Sequence, residues 1–300
     1  MSLTSVIKHK NHQELRDKLK TEFLRPNFSL KSEIKAPPLS SSVSTVGSAF
    51  DYLMRFVLEH LNKSLVQQNG IWVADMAIKK LKLQIQSSES NEIIAGFHRD
   101  MVYDARDLTN SLDSQYAKAK SNYEKYVSDG ILTDELISST VFLAKLDNYF
   151  RSSVIDSSFY LHAQEDIDDL KAMVALIDKS KFEAKHHCFL NPTFGKGSTL
   201  VGGADADLII DDTLIDVKVT RNLKLEREYL NQILGYYVLS LIGGVNNNPS
   251  INPVERVGIY FARHGELWTI PVDELGDRNQ FESFKDWFIS YVSTIDVNVK

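Results

Sequence analysis

A single cysteine, Cys188, is all the thiol this chain contains. That excludes an internal disulfide, an all-cysteine zinc site and any iron–sulfur cluster held by four thiolates of one chain. Glycine, with 14 residues, and proline, with 7, are scarce among 300, which predicts long uninterrupted elements. No apolar run approaches the roughly 20 residues that cross a bilayer; Val238 to Val245 is typical of the longest. The opening MSLTSVIKHKNHQ has no signal-type apolar block, so the expected location is cytoplasmic. An excess of positive charge is also missing, since 34 Lys and Arg face 40 Asp and Glu for a net charge of −6. A nucleic-acid partner would therefore have to be gripped by a local patch or through bound cations.

Several catalytic motifs are absent as well. No Gly-x-Ser-x-Gly elbow or His-Glu-x-x-His pair occurs, which removes the usual support for a serine hydrolase or a zinc protease. GKGST at 195–199 lacks the spacing of a phosphate loop and leads into a predicted strand, and Leu200 stands where a dinucleotide fingerprint needs its last glycine. His186 and His187, beside Cys188, point to opposite faces of a strand and cannot easily share one ion.

What is present is ample core material, 43% hydrophobic with 25% charged residues. Three regions follow from the pattern. Residues 1–45 form an N-terminal helix, His12 to Phe23, and a Pro/Ser-rich arm. Residues 46–180 carry apolar positions at helical spacing. Helices are predicted from Thr45 through Leu61 and at about 71–86, 91–128, 133–151 and 164–180. From 181 to 300 the period shifts to 2. Strands are predicted at Phe182 to Phe189, Thr199 to Ile210, Leu214 to Thr220, Val257 to Phe261 and Glu266 to Ile270, with helices at Leu225 to Ile242 and about 279–294. The order implies an α/β sheet packed between helices.

GGADADLIIDDTLIDVKVT, at 202–220, carries the chemistry. A hairpin turning at Asp211-Asp212 sets Asp207 opposite Asp216 and Asp205 opposite Lys218. Parity then gathers these three acids and the amine on one face, while Leu208, Ile210, Ile215, Val217 and Val219 line the other as core. Ile209 and Leu214 share the acidic face nearer the turn. Opposed carboxylates about 5 Å apart repel. A hard dication such as Mg²⁺ or Mn²⁺ between them reverses that sign, with Lys218 placed to orient and help deprotonate a water.

Gly202/Gly203, Asp207, Leu208-Ile209-Ile210, Asp216-Val217-Lys218 and then Gln232-Ile233-Leu234-Gly235-Tyr236 resemble the PD-(D/E)XK nuclease superfamily in its RecB-like branch. The resemblance implies a restriction-endonuclease-like mixed sheet flanked by helices over 181–300, with the first helix of 46–180 joining that core and the rest inserted. By the same resemblance Asp207 and Asp216 bind the metal, Lys218 assists the water, and Gln232 and Tyr236 form the Gln-x-x-x-Tyr motif of the branch. For the implied helix-borne acid the sequence offers Asp51 and Glu59, with Asp51, four residues after Gly47, preferred, and Asp205 is an additional carboxylate near the metal. Arg221, Lys224 and Arg227 follow the hairpin as a basic stripe that could grip DNA phosphates.

The expectation is a Mg²⁺- or Mn²⁺-dependent deoxyribonuclease, of use in repair, recombination or defence against foreign DNA. Two other readings are a non-catalytic nucleic-acid-binding or assembly module whose helical region engages a protein partner, and an interaction protein with no nucleic-acid role whose acidic face binds a cation for stability.

Overall fold

The computed structural model describes residues 2–68, 72–87, 92–95, 101–155, 161–248 and 254–295. The chain opens with helices α1 (Leu3–Lys8) and α2 (Gln13–Glu22) and, after an extended passage, enters α3 (Val43–Leu61). Strand β1 (Val66–Gln68), helix α4 (Val73–Ser87) and the strands β2 (Glu92–Ala95) and β3 (Met101–Asp104) follow. Helices α5 (Ala105–Asp129), α6 (Asp134–Ser152) and α7 (Gln164–Val174) come next. The remainder runs β4 (Cys188–Leu190), α8 (Lys196–Leu200), β5 (Leu208–Ile210), β6 (Thr213–Lys218), α9 (Arg227–Gly243), β7 (Arg256–Phe261), β8 (Glu266–Pro271) and α10 (Arg278–Thr294). Among the described residues no helix is long and apolar enough to cross a membrane.

The protein is an α/β chain with one six-stranded mixed sheet and a helical N-terminal region. It divides into two compact units. One comprises Met1–Ile34, Ser64–Asn69 and Ser180–Lys300; the other comprises Lys35–Lys63 and Gly70–Lys179. This corrects the expected boundaries. Residues 1–34 are not an arm apart from the sheet, because Leu3, Val6, Ile7, Leu15 and Leu19 are buried in one core with Leu230, Ile233 and Leu234 of α9. Burying such a side chain contributes about 1.5–3 kcal/mol, enough to offset much of the cost of ordering a short helix. Helix α3, predicted to join the sheet, instead packs against α5, α6 and α7. Its Val46, Phe50, Leu53 and Val57 are all buried in that helical unit.

The sheet order is β1-β4-β5-β6-β7-β8. Strands β4, β5 and β6 form an antiparallel meander, α9 crosses over, and β7 lies parallel to β6 with β8 antiparallel at the edge. The hairpin register is the one predicted: Leu208 pairs with Ile215, Ile209 with Leu214 and Ile210 with Thr213. Asp211 turns the chain at φ 50°, and its carboxylate accepts the backbone N–H groups of Lys185, His186 and His187 at 2.7–3.0 Å.

The meander is shorter than predicted. Residues 199–206 are not strand, since Lys196–Leu200 is the short helix α8, and 183–187 precede β4. GKGST therefore opens a five-residue helix rather than a strand, although the phosphate-loop spacing is still missing. Both faces of the hairpin are buried, not one, because α9 packs on the side that carries Ile209 and Leu214, with α1 packed in turn on α9. In the helical unit the predicted span 91–128 is a pair of short strands followed by α5; residues 91 and 96–100 lie outside the described ones. Gly130 in the left-handed region closes α5, and Thr133 caps α6 through the N–H of Leu136.

Candidate active site

Strand β6 ends at Lys218 and the antiparallel β5 begins just after Asp207, so both carboxylates and the amine fall at one end of the sheet. Their side-chain parity places Asp216 and Lys218 on the face that α9 covers, with Leu214. Helix α9 then brings Tyr229, Gln232 and Tyr236 over that end, at the three- and four-residue spacings that share one helix face.

Lys218 is the hub. Its Nζ lies 2.7 Å from Asp216 Oδ2, donates to Gln232 Oε1 at 2.9 Å and sits 5.0 Å from the ring centroid of Tyr229. The Gln232 amide in turn donates to the Tyr236 hydroxyl at 3.1 Å and to Thr4 Oγ1 of α1 at 3.4 Å. Asp207 accepts the backbone N–H of Val217 at 2.6 Å through Oδ2. The Asp216 side chain is only 2% exposed and that of Lys218 19%.

These contacts set the charges. Burial pushes the Asp216 carboxyl up from its ordinary value, against the opposing pull of Lys218 and Lys8. Burial favours the neutral amine of Lys218, but the carboxylates of Asp216 and Asp207 outweigh it and hold the ammonium above its usual range. Lys218 is thus a cation and donor in this arrangement. Burial, followed by the charges of Asp207 and Asp216, raises the Tyr236 phenol, which stays protonated. The opposed acids are accordingly relieved within the protein, by an ammonium and a backbone amide. A dication is not required merely to make their closeness tolerable.

Other predicted residues are placed differently. Asp205 is exposed and bridges to Thr193, because the segment before β5 follows 191–193 through Asn191 N–H to Asp207 O and Ala206 N–H to Pro192 O. Lys218, set opposite it by the expected register, is the last residue of β6 and is held by Asp216 and Gln232. Asp51 lies in the helical unit, where its carboxylate forms an ion pair with Arg55 at 2.7 Å. Among the described residues no three His, Cys, Asp or Glu side chains converge to hold a metal, so the expected three-carboxylate cage is not formed. Arg221 and Lys224 are exposed and precede α9, which starts at Arg227, so they form no helical stripe with it. Arg227 is half-buried and bonds Asn231 Oδ1 at 2.8 Å and the carbonyl of Leu19, pinning α9 to α2.

Thr4 and Lys8 were not singled out by sequence reasoning. The signal for α1 was present, in Leu3, Val6 and Ile7 at helical spacing behind Ser2, whose hydroxyl caps the Ser5 N–H. Comparison with protein-family models, with curated proteins and with solved structures finds no match.

Proposed function

We propose that this chain is a divalent-metal-dependent nuclease that hydrolyses phosphodiester bonds in DNA, on a restriction-endonuclease-like core of the PD-(D/E)XK type. One observation carries the reading. Lys218 is bonded at once to Asp216 from its own strand and to Gln232 from the following helix, and Gln232 to Tyr236. The motif residues of the resemblance thereby form one connected group, together with Asp207 opposite them. A merely solvated hairpin has no reason to bury a carboxylate and an ammonium, since desolvating such a pair costs several kcal/mol per ion.

Asp207 and Asp216 would hold Mg²⁺ or Mn²⁺. Asp216 Oδ2, a buried oxygen 2.7 Å from the Lys218 ammonium, would share its remaining lone pair with the ion. Two carboxylates with water and phosphate oxygens make up a usual Mg²⁺ environment. Bound there, the ion would polarise the phosphoryl oxygen and acidify a water. The chain's own part is positional. Asp216 and Gln232 fix the direction of the Lys218 ammonium, which donates to the attacking water or to a phosphate oxygen. Tyr236 and Thr4 hold the Gln232 amide so that its oxygen faces Lys218.

The test is incubation of linear, circular and single-stranded DNA with purified protein and Mg²⁺ or Mn²⁺. We expect metal-dependent cleavage that falls by at least about 100-fold in Asp216→Ala and Lys218→Ala. Inactivity of the wild type, or undiminished cleavage by both variants, overturns the reading. A non-catalytic nucleic-acid-binding module is favoured by one fact, that no third acidic or histidine ligand joins Asp207 and Asp216 among the described residues. It predicts DNA binding without shortening, indifferent to loss of either acid.

A further inference from the structure

A cleft of about 470 Å³ opens between α1, α2 and the first turn of α9. Its charged lining is Lys8, Arg16, Lys20 and Arg227 against Asp17 and Glu228, four cations to two carboxylates. This is a reversal of sign for a chain whose net charge is −6, and a concave wall with a surplus of one sign concentrates counter-charge. Lys8 pairs with Glu228 at 2.7 Å, but both side chains are about half exposed, so a phosphate can compete for the ammonium; Gln13 donates to Asp17 at 2.8 Å. Arg16 is held in place by the carbonyls of Ile7 and His9, to which it donates at 2.9 and 2.6 Å. Lys20, one turn further on α2, is exposed and enters no ion pair among the described residues. The same α1 that walls the cleft reaches the candidate active site through Thr4.

We propose that this cleft receives the phosphodiester backbone of the DNA strand flanking the scissile linkage, gripped by Lys8 and Lys20 with Arg16 as a fixed charge behind them. The identity of the strand as substrate rests on the nuclease reading; the grip itself does not. Lysine contacts of this kind fix the position of a strand without reading its bases. The surface assigned by sequence reasoning, Arg221 to Arg227, is not part of this grip except for Arg227, whose side chain is committed to Leu19 and Asn231.

The test is equilibrium binding of a short fluorescein-labelled single-stranded oligonucleotide, with Ca²⁺ in place of Mg²⁺ and over a range of salt. The proteins are full-length wild type, Lys20→Ala, the Lys8→Ala/Lys20→Ala pair and, as a control, Lys79→Ala on exposed α4 surface. Each lysine lost from the grip lowers the slope of log affinity against log salt by about 0.7 for a single strand; the control leaves the slope alone. Unchanged slopes in the cleft variants, an equal drop in Lys79→Ala, or no binding by wild type would overturn the proposal. Altered slopes with a wild type that never cleaves would leave the cleft standing and remove the nuclease. Cleavage by wild type with slopes and KM unmoved in the cleft variants would do the reverse.

Discussion

Gln232 accepts a hydrogen bond from the Lys218 ammonium at 2.9 Å across 14 residues of sequence, and passes its own amide hydrogens to Tyr236 and Thr4. Removing the acceptor while keeping bulk isolates this relay. Gln232→Leu should leave the urea midpoint nearly unchanged yet lower kcat for metal-dependent cleavage by about 10- to 100-fold, the rate equivalent of one charge-assisted hydrogen bond. A matching loss in Thr4→Val, smaller in size, would place α1 in the same relay. If cleavage is unaffected by Gln232→Leu, the glutamine is only a structural neighbour of Lys218.

Gly243 and Gly47 should respond oppositely to alanine. A Cβ on Gly243 would stand 1.8 Å from the Phe194 carbonyl oxygen and 2.9 Å from Gly197 N, both backbone atoms that cannot step aside. Gly243→Ala should cost about 3 kcal/mol or more. Gly47, inside α3, has nothing within 4 Å of such a Cβ. Gly47→Ala should add about 0.5–1 kcal/mol through helix propensity. Thermal melts of the two variants check both signs.

Asp147 makes the helical unit sensitive to pH. It is 5% exposed, accepts from the Tyr52 hydroxyl at 2.9 Å, and burial drives its pKa up to about 7 against the pull of Tyr52 and Arg55. The folded protein therefore keeps a proton that the unfolded chain releases above its ordinary 3.8. Stability from this group is complete below that value, declines as pH rises toward about 7 and is flat beyond. Asp147→Asn keeps an oxygen for Tyr52 and should abolish this decline. The wild type should lose on the order of 2 kcal/mol more than the variant between about pH 5 and pH 8 in urea unfolding.

Asp211 behaves in the other direction. Burial would raise its pKa, but the N–H groups of Lys185, His187 and His186 outweigh that and lower it. Its contribution is present above the ordinary carboxylate pKa and is lost as pH falls through the depressed one. Asp211→Ala removes the acceptor and also places alanine at φ 50°. A loss of about 2–3 kcal/mol at neutral pH is expected, shrinking in acid, as read from urea midpoints at the two conditions.

Alternation along 207–218 was enough to set the hairpin register, because a two-residue turn and a period of two leave one pairing that keeps Leu208, Ile210 and Ile215 together. The crossover helix and its Gly243-Gly244 end were equally legible from apolar spacing and glycine placement. The reach of strand structure around 199–206 was not. Whether such a segment pairs depends on a partner strand, and β6 stops at Lys218 before it could supply one.

Local chemistry in the sequence determined which side chains share a face, where helices end and that acids and a lysine stand near one another. Only the tertiary structure decided that Lys218 is held by Asp216 and Gln232, that α1 rather than α3 joins the sheet, and that Asp51 is spent on Arg55. Periodicity is a property of neighbouring residues. The choice among several amphipathic helices for one sheet face depends on shape and burial summed over the whole chain, which no local window contains.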